Sequence, residues 1–177
     1  VRRMFSTLLR LGKLDRDGVR DRVKTFLFQR GVRQIDEVEA LTELVFPSKK
    51  PEGNRRRMAG VEERHAVVRR FFRLLTLERP LIVWLEDAHW GNDALGLTYS
   101  VLENQRYSPM PVYFVLTVRD ETLAERPIER ALIEELQQLE GAATLSLGPL
   151  PDADQHVLVQ RMLGLEESLT SRVVDRT

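Results

Sequence analysis

The chain has 177 residues, enough for one domain with a substantial apolar core but scarcely enough for two. Lys and Arg together number 27, as do Asp and Glu, so the net charge is zero and gives no electrostatic case for nucleic-acid or anionic-membrane binding. The absence of cysteine excludes disulfides and thiolate metal sites. The sequence shows no apolar stretch long enough to span a bilayer and no signal peptide, so it favours a soluble, cytoplasmic protein.

The first sixty residues predict a helical region that ends in a basic loop. Apolar residues recur there at helical spacing, in the three sets Met4, Phe5, Leu8 and Leu9; Val19, Val23, Phe26 and Leu27; and Ile35, Val38, Leu41, Leu44 and Val45. Residues 47–60 are basic and rich in Pro and Gly, which predicts an exposed loop. Arginines 55–57 suggest nucleic-acid binding, but a solvated loop is favoured because no aromatic residues lie between the charges.

An alternation of helices and strands follows over residues 61–148. The predicted elements are an amphipathic helix from Val61 that Pro80 ends, a strand over 81–85, a helix after Asp93, a strand over 112–118, a helix over 127–139 and a strand over 144–147. The run at 81–85 is typical of a strand buried on both faces. We therefore expect an α/β fold with a parallel sheet, and a further helical region over 149–177.

Two adjacent carboxylates, Glu86 and Asp87, follow the first of these strands. Ligands of parallel sheets bind beyond the carboxyl ends of the strands, where a cation such as Mg²⁺ could compensate both charges. The alternative, that Glu86 and Asp87 open a solvated loop and cap the next helix, is equally open on spacing alone.

The second strand ends in Thr117-Val118-Arg119, on the same sheet edge if the strands are parallel. A guanidinium group there matches phosphate oxygens, which favours phosphate sensing by Arg119. A salt bridge from Arg119 to Asp87 or Glu121 is the alternative.

Residues 80–93, which read Pro-Leu-Ile-Val-Trp-Leu-Glu-Asp-Ala-His-Trp-Gly-Asn-Asp, resemble the acidic-strand (Walker B) motif of STAND-type AAA ATPases. These are regulatory ATPase modules of large transcription activators and of kinase or cyclase fusions. Residues 112–119 are similar to the following strand of that family, and residues 145–151 to its fifth strand and the entry to its helical lid. The resemblance is tight over about residues 61–164, and the His-Trp pair after the two acids makes it specific. It is looser over residues 1–60, where the family has a variable insertion, and it implies that residues 149–177 begin the helical lid.

The resemblance implies a partial P-loop NTPase-type sheet with helices on both faces, and a site that uses ATP, ADP and Mg²⁺. Glu86 matches the Mg²⁺-associated acid, Asp87 the water-orienting acid, which holds Mg²⁺ through water, and Arg119 the phosphate sensor. Thr117 and Pro149, at the lid entry, count among the nucleotide-binding residues. Since the acid pair is Glu-Asp rather than Asp-Glu or Asp-Asp, the resemblance supports nucleotide binding more directly than hydrolysis.

The phosphate loop of that family, Gly-x-x-x-x-Gly-Lys-Ser/Thr, does not occur in the sequence. The only Gly-Lys, Gly12-Lys13, is followed by Leu14. We therefore expect a fragment of a longer regulatory ATPase, inactive alone, whose partners are other domains of its parent chain and, in self-association, further copies. A degenerate, non-hydrolysing interaction module is the alternative.

Three further side chains near the motif have predicted roles. His89 is expected to form a hydrogen bond near the acidic pair and Trp90 to pack under the following helix. A histidine metal site is not expected, because the other histidines, His65 and His156, lie in unrelated segments. Arg126, like Arg130 further along the same helix, could reach a neighbouring subunit's nucleotide, but surface charges on a helix face are favoured.

Overall fold

A computed structural model describes residues 2–48 and 60–164. These residues form eight α-helices and two β-strands, in the order α1 (Arg2–Leu8), α2 (Arg16–Gln29), α3 (Ile35–Val45), α4 (Val61–Thr76), β1 (Leu81–Leu85), α5 (Asn92–Glu103), β2 (Val112–Leu116), α6 (Asp120–Ala124), α7 (Pro127–Gln137) and α8 (Asp152–Leu163). The helices predicted within these residues and the first two strands are confirmed, although β2 ends two residues before the predicted Val118, and α6 was not predicted. Residues 165–177 of the predicted last helical region lie outside the described residues. Most of the predicted basic loop, residues 49–59, lies outside the described residues.

The chain divides into two compact units, residues 1–142 and 143–177. In the first unit, helices α1 to α4 enclose the main core around three phenylalanines. The ring centroid of Phe71 lies 4.6 Å from that of Phe5 and 5.2 Å from that of Phe26. Both Phe5 and Phe71 are almost completely buried, so the helical region has the close packing of a folded interior.

Polar contacts set the ends of the helices around this core. The carboxylate of Asp15 accepts a hydrogen bond from the backbone N–H of Gly18 at 2.9 Å and so caps the start of α2. At the far end of α3, Glu43 pairs with Arg16 at 2.8 Å and accepts hydrogen bonds from the backbone and hydroxyl of Ser48. These contacts join α2 to the end of α3 through a largely buried carboxylate.

Strands β1 and β2 pair in parallel and are linked by α5. Val83 lies opposite Phe114 in the register, and Phe114 packs against Phe72 of α4 with ring centroids 6.4 Å apart. The same sheet face continues toward a smaller cluster in which Leu95 of α5 and Leu136 of α7 are buried. Helices therefore cover this face along its whole length.

The opposite face of the sheet is open, which corrects the prediction of a strand buried on both faces. Ile82 is 70% exposed and Trp84 is 68% exposed on β1, and Tyr113 is 65% exposed on β2. The apolar run at 81–85 did predict a strand, but its composition does not reveal whether a second layer packs on it. Among the described residues the structure is a helix-rich mixed α/β fold with helices on one face of a two-stranded sheet.

The second unit contains α8 and the segment before it. The prediction of a third strand over residues 144–147 is wrong, because these residues pair with no strand in the part of the chain that the structure describes, and Leu145 and Leu147 are 82% and 85% exposed. An alternating apolar segment needs a neighbouring strand to satisfy its backbone before it becomes a strand. No helix among the described residues is long and apolar enough to cross a membrane.

Candidate functional site

Four of the predicted site residues lie at the carboxyl end of the two-stranded sheet. The last residue pair of the sheet is Leu85 with Leu116, so Glu86 and Thr117, the next residues after the two strands, are neighbours just beyond it. Backbone pairing continues beyond the strands: the N–H of Thr117 donates to the carbonyl of Leu85 at 3.0 Å, and the N–H of Ala88 donates to the carbonyl of Thr117 at 2.9 Å. The parallel pairing confirms that both strands deliver their polar residues to one edge.

Asp87 has an unusual backbone conformation. Its φ of 48° and ψ of 47° place it in the left-handed region, which residues other than glycine rarely adopt. Asp tolerates this conformation better than most residues. The chain reverses there into a short 3-10 turn, Ala88–Trp90. The N–H of Asp87 donates to the hydroxyl of Thr117 at 3.0 Å, which anchors the reversal to the neighbouring strand.

Arg119 forms an ion pair with Asp87, with 3.4 Å between Nε and Oδ1. The salt bridge to Asp87, which the sequence offered as the alternative to phosphate sensing by Arg119, is therefore present. Its side chain is nevertheless 69% exposed and that of Asp87 is 42% exposed. Exposed pairs of this kind are held weakly, so the guanidinium group remains available to a competing anion.

The donor set at this edge suits a hard cation only in part. Glu86 is exposed beside Asp87, and carboxylate oxygens are the ligands that Mg²⁺ prefers. Within residues 2–48 and 60–164 no group of three or more His, Asp or Glu side chains could hold a metal ion. Magnesium bound to Glu86 and Asp87 would therefore take its remaining oxygens from water or from a phosphate ligand, the arrangement Mg²⁺ usually adopts with nucleotides.

His89 lies directly under this edge and is completely buried. Its Nδ1 accepts a hydrogen bond from the backbone N–H of Arg119 at 3.3 Å, so the proton of the neutral ring is on Nε2. The buried Nε2 has no hydrogen-bond partner among the described residues. The prediction that His89 forms a hydrogen bond near the acidic pair is confirmed.

Trp90 does not pack under the following helix, as the sequence suggested. It is 65% exposed, and the guanidinium of Arg126 lies 4.3 Å from its ring centroid. Arg126 also donates to the carbonyl of His89 at 2.8 Å and pairs with Glu129 at 3.0 Å. Sequence reasoning missed these contacts, because only the fold shows that the start of α7 meets the turn after β1.

Asp93, the last acid of the quoted motif, makes its contacts away from the edge. Its carboxylate pairs with Arg64 at 2.9 Å and lies 3.7 Å from Nε2 of His65. Both partners are on α4, so Asp93 fastens the start of α5 to that helix.

Pro149, the remaining predicted site residue, belongs to the second unit, where it is exposed. Comparison of the chain with protein-family models, with curated proteins and with solved structures gave no significant match.

Proposed function

We propose that this chain supplies the acidic side of a magnesium–nucleotide site in an ATP-dependent regulatory switch of a larger signalling protein. The observation that carries the proposal is the meeting of Asp87, Thr117 and Arg119 at one sheet edge. The N–H of Asp87 lies 3.0 Å from the hydroxyl of Thr117, and its carboxylate lies 3.4 Å from Arg119. A cation-binding carboxylate and a phosphate-binding guanidinium are thus neighbours, as metal–phosphate recognition requires.

Each residue has a specific role in this proposal. Glu86 would hold the magnesium ion directly and Asp87 would hold it through water. Asp87 would also orient the attacking water by accepting a hydrogen bond from it. Arg119 exchanges its exposed contact with Asp87 for an oxygen of the terminal phosphate. Thr117 fixes the backbone of Asp87 through its hydroxyl and provides a further oxygen at the same edge.

The phosphate cradle must come from outside these 177 residues, because the sequence contains no Gly-x-x-x-x-Gly-Lys-Ser/Thr. We therefore expect the isolated chain to bind Mg-ATP weakly or not at all. Micromolar affinity of the isolated chain for Mg-ATP in isothermal calorimetry would contradict the proposal that the phosphate cradle lies outside it. In a longer polypeptide that carries the cradle, Asp87→Asn is expected to abolish ATP turnover, and unchanged turnover would remove Asp87 from the catalytic role.

The isolated chain itself allows a direct test with Mn²⁺, a paramagnetic substitute for Mg²⁺ at oxygen sites. Substoichiometric Mn²⁺ should broaden the amide resonances of residues 86–90 and 117–119 before all others. Glu86→Gln and Asp87→Asn should each remove this selectivity. Glu121→Gln, which neutralises another acid just after β2, is the matched control and should leave the selectivity unchanged. Uniform broadening of all acidic surface segments in the wild-type chain would overturn the proposal.

A second candidate function is a non-hydrolysing interaction module. The open sheet face that carries Ile82, Trp84 and Tyr113 favours it, because parallel sheets are ordinarily covered on both faces. The Mn²⁺ experiment separates the two, since an interaction module that had lost the chemistry would show no selective broadening at Glu86 and Asp87.

A further inference from the structure

Two hydrogen bonds from different parts of the chain converge on His89. The backbone N–H of Arg119, between β2 and α6, donates to Nδ1 of its ring. The guanidinium of Arg126, immediately before α7, donates to its carbonyl oxygen. His89 thus joins the turn that follows the acidic pair to both β2 and α7.

The contacts of Arg126 make it more than a surface charge. The side chain is 29% exposed and its partner Glu129 is 15% exposed, so both are largely withdrawn from water. Its guanidinium group lies over the Trp90 ring at 4.3 Å, a favourable distance for a cation–π contact. Three separate contacts, with His89, Trp90 and Glu129, therefore fix one side chain against the turn.

We propose that Arg126 and His89 form a clasp that positions the acidic turn, residues 86–90, and makes the metal site depend on the placement of α7. The identity of what the turn binds rests on the proposed function above. The clasp itself does not touch substrate, so Arg126 and His89 are positioning residues.

The local structure explains why such a clasp is needed. The strand ends at Leu85, and Asp87 then adopts a left-handed conformation that is unfavourable for a residue with a side chain. The exposed ion pair with Arg119 contributes little to holding it there. The contacts with Thr117 hold one side of the turn, and the clasp holds the other.

The consequence is a mechanical link between the site and α7. This helix packs beside α5, with Leu136 buried in the same cluster as Leu95. A binding partner that shifts α7 would withdraw Arg126 from the carbonyl of His89 and loosen the turn that carries Glu86 and Asp87. Regulation of the site would then need no contact with the site itself.

Amide hydrogen exchange in the folded, full chain tests the clasp without any ligand. Arg126→Ala is expected to accelerate exchange of the Ala88 and Arg119 amides about tenfold, because both donate hydrogen bonds that hold the turn to β2. Arg130→Ala is the matched control on the same helix, since the side chain of Arg130 pairs with Glu134. Equal exchange at Ala88 and Arg119 in the two variants would overturn the proposal.

Two substitutions of His89 separate positioning from simple packing. His89→Asn keeps an acceptor close to the place of Nδ1, whereas His89→Leu fills the buried site without one. We expect His89→Asn to retain slow exchange at Arg119 and His89→Leu to lose it. If both variants stay folded and exchange alike at Arg119, His89 only fills space and the proposal fails.

The Mn²⁺ measurement then connects the clasp to the metal site. Arg126→Ala should raise about fivefold the Mn²⁺ concentration that is needed to broaden residues 86–90 selectively. Arg130→Ala should leave that concentration unchanged. Loss of slow exchange without any change in Mn²⁺ affinity would show that the metal site does not depend on the clasp. If the wild-type chain shows no selective broadening, the proposed function fails, while the exchange result still decides whether the clasp holds the turn.

Discussion

The helical core and the carboxyl edge of the sheet are built in opposite ways. The core depends on buried aromatic contacts, such as the 4.6 Å approach of Phe5 to Phe71. The edge depends on polar contacts, and its charged residues Glu86 and Arg119 are exposed. Stability and candidate chemistry are thus carried by separate residues of one unit, so each can be changed while the other is monitored.

The largest effect is expected from Phe71→Ala, which removes the ring at the centre of the helical core. Loss of burial and the resulting cavity should lower the free energy of unfolding by about 3–5 kcal/mol. Urea unfolding measures it, and Leu77→Ala, at a side chain that is 71% exposed, is the control. A small loss for Phe71→Ala would mean that the helical core does not carry the stability of this unit.

The two faces of β1 give a sharper comparison within one strand. Val83→Ala should lower the free energy of unfolding by about 2 kcal/mol, because Val83 is 7% exposed and packs in the main core. Ile82→Ala, one residue away and 70% exposed, should change it by less than about 0.5 kcal/mol. Equal losses in urea unfolding would mean that the open face is covered in solution.

A pH-dependent contribution is expected from Glu43 in the helical region. Burial favours a raised pKa for this carboxyl, but hydrogen bonds from Ser48 and the nearby Arg16 outweigh it and hold the pKa below its ordinary value of 4.5. A lowered folded-state pKa adds stability above the unfolded pKa, and this stability is lost as the pH falls through the folded value. Glu43→Gln should therefore cost about 1–2 kcal/mol at pH 7 and progressively less below about pH 4.5.

Unfolding curves measured at several pH values check this prediction. Glu134→Gln, at an exposed carboxylate on α7, is the control and should follow the wild-type pH dependence. A cost for Glu43→Gln that is the same at pH 3 and pH 7 would contradict the role of the Glu43 charge.

The smallest difference between paired variants is expected at the edge, from the left-handed backbone of Asp87. Glycine adopts this conformation without steric cost and alanine does not, so Asp87→Gly should be more stable than Asp87→Ala by about 1 kcal/mol. Thermal unfolding of the two variants measures the difference. Greater stability of the alanine variant would mean that the turn leaves the left-handed region.

The order of helices and strands could be predicted because it depends on local patterns. The helical spacing of Val67, Val68, Phe71 and Phe72 predicted α4, and the apolar run before Glu86 predicted β1 over its correct residues. The meeting of Glu86 with Thr117 also followed from sequence, since parallel strands end at a common edge. These inferences need only chain direction and residue type.

The errors concern contacts between segments distant in sequence. The large ring of Trp90 is typical of a buried residue, yet Trp90 lies at the surface, where its ring contacts Arg126, thirty-six positions later. Leu145 and Leu147 alternate like a strand, but strand formation requires a neighbour that the pattern cannot supply. The open face at Ile82 has the same cause, because composition describes the strand and not its surroundings.

The positions of the two tryptophans make the carboxyl edge visible by optical spectroscopy. Trp84 lies on β1 and Trp90 in the turn after the acidic pair, and both are about two-thirds exposed. The intrinsic fluorescence of the protein therefore originates beside the candidate site and not in the helical core. A shift in emission would report a change in the acidic turn or at the open sheet face beside it, whereas unfolding of the core is better followed by circular dichroism.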